Sequence, residues 1–310
     1  MSTRGLVISG GGSKGAFAVG VITWMLENLK DSSNSPISFQ LLAGTSTGSL
    51  IAPAIALHAL GEPGIISDLV NIYTTTTTEQ VMTIQGPISI LSKESLYGTA
   101  PLESLIRSFY SEERYNKLQA SNAVQVIAAT VNMTTGYTEY FYVGKPITRL
   151  SPDKIINRVT SYDQFVKAVL ASASEPVMMP LVDIPGHNGK FTDGGVNEII
   201  PLSVALDFGI DELYGISLST ERRLKWDESN PTTPGVLMRL LDVLLDEVVE
   251  NDIAIVERTK PGTLKALIRP NEDIELKVGL KALSFDPAKM IDSYNFGRDC
   301  AKTHFQNLPV

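Results

Sequence analysis

Ser46 lies at the centre of a Gly-x-Ser-x-Gly pentapeptide that is bounded by Gly44 and Gly48. The apolar residues 39–43 before it indicate a buried strand, and the largely apolar residues 50–57 after it indicate a helix. In a sharp turn from strand to helix, glycines let the two elements approach closely, and the serine hydroxyl stands clear of the backbone near the positive end of the helix dipole. The spacing therefore predicts that Ser46 is a nucleophile.

A second glycine-rich turn follows the apolar residues of the first predicted strand. Its glycines and its lysine are Gly10, Gly11, Gly12, Lys14 and Gly15. Neither G-x-x-x-x-G-K-[ST] nor a good G-x-G-x-x-G spacing is present, which weakens a nucleotide-binding interpretation. A tight turn would need only one or two glycines. An oxyanion hole of backbone N–H groups fits because a serine turn follows the next strand, but spacing alone leaves all three interpretations open.

A nucleophilic serine needs a proton acceptor, and the sequence contains three histidines. His58 lies on the helix that follows Ser46, too far along it to fold back. His187 lies in a Pro-Gly-His-Asn-Gly turn, and His304 lies near the end of the sequence, where a surface helix is predicted. A histidine-dependent α/β hydrolase acting on small esters is an alternative function, but it would require a well-placed histidine, which this sequence lacks.

Asp193, followed by Gly194 and Gly195, is the better candidate for the base. A carboxylate beside a serine hydroxyl can take its proton directly if the site is dry enough to raise the basicity of the carboxylate. An Asx turn is the alternative interpretation of an isolated Asp-Gly pair. The combination with the other two motifs favours a catalytic role.

These motifs, in this order, resemble those of the patatin-like phospholipases, a family of lipid acyl hydrolases. The turn at residues 10–15 is similar to the family's oxyanion motif, the turn at 44–48 to its nucleophile elbow, and residues 193–195 to its Asp-Gly-[Gly/Ala] base motif. Residues 95–102 and 171–176 also resemble segments of the family. The resemblance covers most of residues 5–200 and is weak after about residue 220, apart from Phe-Asp-Pro at 285–287 and the helix that is predicted to follow it as far as Asp299.

The resemblance implies a three-layer patatin-like α/β fold and a Ser46–Asp193 dyad that works without histidine, metal or cofactor. It implies an oxyanion hole at Gly10, Gly11 and Gly12. Supporting roles fall to Lys14, Gly15, Gly44, Gly48, Gly194 and Gly195. The implied activity is that of a phospholipase A or lysophospholipase, acting through an acyl-enzyme on phospholipid or another polar lipid during transient membrane contact. An acyltransferase with the same dyad and a catalytically idle lipid-binding or interaction module are the alternatives.

Two strand-turn-helix units within the first sixty residues predict a mostly parallel central sheet covered by helices. The predicted strands are 6–9, 39–43, 124–130, 138–143 and 213–218, and the predicted helices are 16–29, 64–73, 101–110, 165–172 and 235–257. The threonine run 74–78 is predicted to be a surface loop near a cap. The last of these helices is predicted to be a core or dimer-packing helix, with its acidic residues, Asp252 among them, on a polar face.

The 310 residues, 43% of them apolar, predict a single domain over 1–310, with the catalytic motifs within 5–200 and a variable helical part at 220–310. A net charge of -8 without any basic run disfavours nucleic acid as a partner. Cys300 is the only cysteine, which excludes an intrachain disulfide and a zinc-thiolate cluster. No signal peptide or membrane span is recognisable, so we expect a cytoplasmic location. The sequence makes no prediction of the oligomeric state.

Overall fold

A computed structural model describes residues 2–84, 94–147, 152–221, 233–278 and 280–307. The strands in these ranges are β1 (Arg4–Ile8), β2 (Leu41–Thr45), β3 (Thr83–Ile84), β4 (Tyr97–Gly98), β5 (Gln125–Asn132), β6 (Thr138–Gly144), β7 (Ile155–Arg158), β8 (Phe191–Asp193), β9 (Glu212–Ile216) and β10 (Leu264–Ile268). The helices are α1 (Gly15–Asn28), α2 (Thr47–Ala59), α3 (Ile65–Thr75), α4 (Thr78–Val81), α5 (Ala100–Phe109), α6 (Glu112–Gln119), α7 (Tyr162–Ser172), α8 (Leu202–Asp207), α9 (Thr233–Thr259), α10 (Ile274–Val278) and α11 (Pro287–Gln306).

The central sheet is mostly parallel, as predicted. Within the described ranges its strands follow the order β10-β9-β1-β2-β5-β6-β7, and β8 pairs with β5 beside this path. The strands from β10 to β5 are parallel, β6 and β8 run antiparallel to β5, and β7 is parallel to β6. The register places Ile8 opposite Gly44 and Gly44 opposite Ala128. The carboxyl ends of the two strands that precede the glycine turn and the serine turn therefore meet at one edge of the sheet.

Alternating side chains of the sheet face two separate apolar cores, which makes a three-layer α/β architecture. On β1, Leu6 and Ile8 belong to the larger core, which also contains buried side chains of α1, α2, α3 and α11. Val7 points to the opposite face, into a core completed by α8 and α9. Strand β2 repeats the pattern with Leu42 facing the first core and Leu41 the second. Both faces of the sheet are covered, as buried parallel strands require.

The predicted helices are confirmed, with ends that shift by a few residues, but the loop predicted at residues 74–78 is reduced to Thr76 and Thr77, between α3 and α4. The hydroxyls of Thr74 and Thr75 donate to carbonyls four residues back and lie within the last turn of α3. Thr77 is the N-cap residue of α4 and forms a capping box, in which its own N–H donates to the side chain of Gln80 at 2.8 Å. Local side-chain hydrogen bonds of the threonines thus stabilise the end of α3 and the beginning of α4. None of the helices in the described ranges combines the length and the apolar character needed to span a bilayer.

Helices α1 and α11 cross at unusually short range because each contributes a glycine to the contact. A Cβ atom placed on Gly20 would lie 2.0 Å from the carbonyl oxygen of Tyr294, and one placed on Gly297 would lie 2.1 Å from the carbonyl oxygen of Phe17. Both distances are far below van der Waals contact, and the opposing atoms belong to backbone that cannot rotate away. The last helix is therefore locked against the first helix by backbone contact.

We expect Gly297→Ala to destabilise the protein by about 2 kcal/mol or more, although Gly→Ala inside a helix normally stabilises by up to about 1 kcal/mol. The reversed sign follows from the clash with Phe17. Urea unfolding followed by circular dichroism measures the effect, with Asn295→Ala on the exposed face of α11 as the matched control. A Gly297→Ala protein as stable as this control would contradict the close crossing.

Candidate active site

Ser46 occupies a strained turn between β2 and α2. Its backbone has φ 55° and ψ −126°, a combination that non-glycine residues rarely adopt. The turn is possible because Gly44 packs directly on Gly48: a Cβ atom on Gly44 would lie 2.1 Å from the carbonyl carbon of Gly48. A Cβ atom on Gly48 would lie 2.2 Å from the carbonyl oxygen of Ile8. The predicted strand-turn-helix setting of Ser46 is confirmed, and the two glycines give it the necessary space.

The segment at 171–176 connects Ser46 to Asp193. The Ser46 N–H donates to the hydroxyl oxygen of Ser172 at 3.1 Å. Two residues further on, the carbonyl of Ser174 accepts the N–H of Asp193 at 2.9 Å and the hydroxyl of Thr192 at 2.7 Å. The sequence marked this segment only by resemblance. Its physical role is to hold the serine turn and the aspartate turn at a fixed separation.

Asp193 ends β8, where that strand pairs with β5 and Asp193 lies opposite Thr130. Its carboxylate accepts the N–H of Gly195 at 2.7 Å, and the Ser46 side chain lies near enough to lower the pKa of this carboxyl. Gly194 packs so closely that a Cβ atom there would lie 2.5 Å from the carbonyl oxygen of Ala129. The structure therefore brings together Ser46 and Asp193, which are far apart in the sequence.

Burial gives the Asp193 carboxyl an unusual basicity. The side chain is almost completely removed from water, with 6% of the residue exposed. Loss of hydration disfavours the charged form and raises the pKa of Asp193 to about 7, while the hydrogen bond from Gly195 and the nearby Ser46 side chain act in the opposite direction. The negative charge of Glu175 adds a smaller upward effect on the same pKa. A carboxylate with this pKa can accept a proton near neutral pH.

The glycine turn lies beside Ser46, since a Cβ atom on Gly10 would be 3.1 Å from the Cβ of Ser46. The N–H of Gly10 donates to the carbonyl of Ile199 at 3.0 Å and is therefore occupied. Gly11 and Gly12 have φ angles of 151° and 57°. Among the described residues, the N–H groups of these two glycines have no hydrogen-bond acceptor. Of the three predicted oxyanion donors, Gly11 and Gly12 remain available.

Lys14 and Gly15 support the glycine turn from its far end. The Lys14 ammonium lies 3.3 Å from a carboxylate oxygen of Glu275 on α10, which ties the turn to the C-terminal part of the chain. Gly15 packs against Thr47, where a Cβ atom would lie 2.3 Å from the threonine hydroxyl oxygen. The first turn of α1 and the first turn of α2 therefore pack closely beside Ser46.

Ser46, Asp193 and the three glycines line one cavity of about 900 Å³. Most of its other walls are aliphatic and aromatic side chains from α2, α3, α5, the segment after α7, and α9. Examples are Leu50, Leu69, Ile72, Leu102, Ile106, Phe109, Met178, Met179 and Leu245. Such a cavity favours an apolar chain next to the serine hydroxyl.

None of the three histidines lines this cavity. His58 is exposed on α2, His187 packs edge-on against the ring of Phe141 at 4.8 Å, and His304 is partly buried on α11. The described part of the chain also contains no group of three His, Cys, Asp or Glu side chains arranged to hold a metal ion. The nearest proton acceptor to the Ser46 hydroxyl that these contacts identify is Asp193.

Sequence reasoning missed Asp252, which it placed on the polar face of a helix. Asp252 is buried on α9 with 6% of the residue exposed, and its Oδ2 accepts the N–H groups of Ile199 and Ile200. The prediction was wrong because one acidic residue among several on a helix looks solvated unless its distant partners are known. No local signal in the sequence could have identified it.

The part of the chain that carries this site matches one family model. The model described as patatin-like phospholipase matches residues 6–206. Among solved structures, the chain is similar to VipD from Legionella pneumophila, with 13% sequence identity and a TM-score of 0.47, over 98% of this chain and 67% of that chain. A search of curated proteins found no match.

We expect Asp193→Asn to stabilise the protein, and to do so more at high pH than at low pH. The folded-state pKa of about 7 lies above the ordinary value of 3.8, so the folded state binds more protons than the unfolded state between these values. Stability from this group is therefore lost as the pH rises through that window. Asparagine removes the cost, and the advantage of the variant in unfolding free energy should grow by about 2 to 4 kcal/mol between about pH 4 and about pH 8.

Urea unfolding of both proteins across this pH range measures the difference. The comparison cancels the other buried carboxyls, because both proteins contain them. An advantage that stays constant with pH would mean that the Asp193 carboxyl is not destabilised by burial.

Proposed function

The chain belongs to the patatin-like phospholipase family, and we propose that it hydrolyses fatty acyl esters of phospholipids or related polar lipids with Ser46 and Asp193 as a catalytic dyad. The observation that carries the proposal is the position of the Ser46 side chain beside a buried carboxyl whose pKa is raised to about 7. An ordinary exposed aspartate would be too weak a base to activate a serine hydroxyl.

In the proposed acylation step, the Ser46 Oγ attacks the carbonyl carbon of the ester while Asp193 accepts the hydroxyl proton. The carbonyl oxygen becomes an oxyanion, and the unoccupied N–H groups of Gly11 and Gly12 donate hydrogen bonds to it. Collapse of the tetrahedral intermediate breaks the ester bond. The leaving alcohol takes the proton from Asp193, and the acyl group remains on Ser46.

In the proposed deacylation step, a water molecule takes the place of the alcohol. Asp193 accepts a proton from the water as its oxygen attacks the acyl carbonyl, and the second intermediate collapses with return of that proton to Ser46 Oγ. The fatty acid then leaves. An acceptor alcohol in place of water would give acyltransfer, so product analysis distinguishes the two reactions.

The apolar cavity supports a lipid as the substrate. Its volume of about 900 Å³ and its aliphatic walls suit a long acyl chain, whose burial contributes roughly 0.8 kcal/mol for each methylene group. This binding also fixes the ester beside Ser46, which converts attack on the carbonyl into an intramolecular event. A phospholipase A or a lysophospholipase specificity fits the site equally.

The decisive experiment is turnover of a chromogenic short-chain ester, followed by comparison of the lipids in membranes incubated with wild type or Ser46→Ala. A fluorophosphonate that labels Ser46 counts the active sites. Fatty acid release that depends on Ser46 supports the hydrolase, and transfer products support the acyltransferase. A folded protein that neither turns over the ester nor accepts the label would instead be a lipid-binding module.

We expect Ser46→Ala and Asp193→Asn each to lower kcat by at least about a thousandfold, and the double variant to be no worse, because members of a catalytic unit are not additive. His58→Ala, His187→Ala and His304→Ala are the matched controls. They should retain most of the activity because none of these side chains lines the cavity. Loss of activity in a folded histidine variant would support a histidine-dependent hydrolase.

We expect kcat/KM to rise with pH and to reach half of its maximum near pH 7. The base is active only when it is deprotonated, and the pKa of Asp193 in the free protein is about 7. Activity should therefore be lost progressively below this value, while the protein stays folded. Initial rates across the pH range, normalised to labelled Ser46, test this. A half-maximum near the ordinary aspartate value would show that burial does not tune the base.

A further inference from the structure

Residues 198–200 link the two other parts of the proposed site. The carbonyl of Glu198 accepts the hydroxyl of Thr45 at 3.1 Å, and Thr45 directly precedes the proposed nucleophile. The carbonyl of Ile199 accepts the N–H of Gly10 at 3.0 Å, and Gly10 directly precedes the proposed oxyanion donors. The position of this short segment therefore affects where the nucleophile and the donors lie relative to each other.

Asp252 of α9 holds the same two peptide groups from the other side. Its Oδ2 accepts the N–H of Ile199 at 3.0 Å and the N–H of Ile200 at 3.1 Å. The peptide group between Glu198 and Ile199 is therefore hydrogen-bonded to Asp252 through its N–H and to Thr45 through its carbonyl. The peptide group between Ile199 and Ile200 is hydrogen-bonded in the same way to Asp252 and to Gly10. Hydrogen bonds on opposite ends of one peptide group polarise and strengthen each other. A single oxygen of Asp252 is therefore connected to the serine turn through one peptide group and to the glycine turn through the next.

We propose that Asp252 is a positioning residue of the acyl-transfer site. By holding the backbone of residues 198–200, it fixes the position of the nucleophile turn relative to the glycine turn. The inference rests on the proposed function. Asp252 lies outside residues 6–206, the part that matches the family model. The proposal therefore assigns to α9, which lies beyond the matched residues, a specific task in the chemistry of the matched part.

The surroundings of Asp252 indicate that it acts as a hydrogen-bond acceptor rather than as a charge. Burial and the nearby Glu198 raise the pKa of Asp252 to about 8, so the neutral form is substantially populated at neutral pH. The Glu198 side chain itself accepts hydrogen bonds from Tyr140 and, at 2.6 Å, from Ser203. An asparagine at position 252 offers an oxygen in nearly the same place and is therefore the conservative replacement.

The test compares Asp252→Ala, Asp252→Asn and Val256→Ala. Asp252→Ala should lower kcat by about tenfold to a hundredfold with KM changed by less than about threefold, because small misplacements of reacting groups cost rate rather than binding. Asp252→Asn should restore kcat to within about threefold of wild type, since its oxygen can accept both N–H groups. Val256→Ala is the matched control: this buried valine lies one turn further along the same face, so its loss should lower the melting temperature but leave kcat unchanged.

Rates are measured with a chromogenic ester and divided by the concentration of fluorophosphonate-labelled Ser46. If Asp252→Ala does not fold, Asp252→Glu replaces it, because the longer side chain keeps a carboxyl but displaces its oxygens and should also lower kcat by about tenfold. Wild-type kcat in Asp252→Ala or Asp252→Glu overturns the proposal, as does a folded Asp252→Asn that is as slow as expected for the alanine variant. An inactive, unlabelled wild type would instead refute the proposed function itself.

Discussion

The candidate site depends on one interaction: the Asp193 carboxyl is buried away from water and lies beside the Ser46 side chain. A buried carboxylate is costly, and in the described part of the chain the N–H of Gly195 and the Ser46 side chain favour its charged form. The same cost raises the basicity of the group, so stability and reactivity are two consequences of one interaction. The carboxyl is held in this position by closely packed backbone: a Cβ atom on the neighbouring Gly194 would lie 2.5 Å from the carbonyl oxygen of Ala129.

This close packing is found at one edge of the mostly parallel sheet. The glycine turn and the serine turn leave neighbouring strands in register, and β8 brings Asp193 to the same edge by pairing with β5. The close backbone contact of Gly44 with Gly48 fixes the strained turn, and Ser172 and Ser174 tie it to the aspartate. Each contact is made by backbone or by a short side chain. The side chains of the proposed dyad are thus held by backbone and short side chains, which have few alternative conformations.

The sequence was sufficient to predict those structural features that depend on local backbone chemistry. Glycines that flank a serine or follow an aspartate mark turns whose geometry is set within five residues, so Ser46, Asp193 and the parallel sheet could be predicted. The occupied N–H of Gly10 and the buried position of Asp252 could not, because each depends on residues 198–200, far away in the sequence. The loop predicted at residues 74–78 was largely wrong for a different reason. Threonine side chains in this run stabilise helix ends, which composition alone does not distinguish from a loop.

The buried carboxyls also explain why the second apolar core carries polar groups at all. Burial raises the pKa of both Glu198 and Asp252, and the negative charge of Glu198 adds to the increase in the pKa of Asp252. An apolar pair would pack there at lower cost, but it would leave the N–H groups of Ile199 and Ile200 without an acceptor. A buried acceptor at this point is costly for the fold and useful for the geometry of the site. On the proposed function, stability is given up here because the backbone beside the proposed nucleophile must be held in one place.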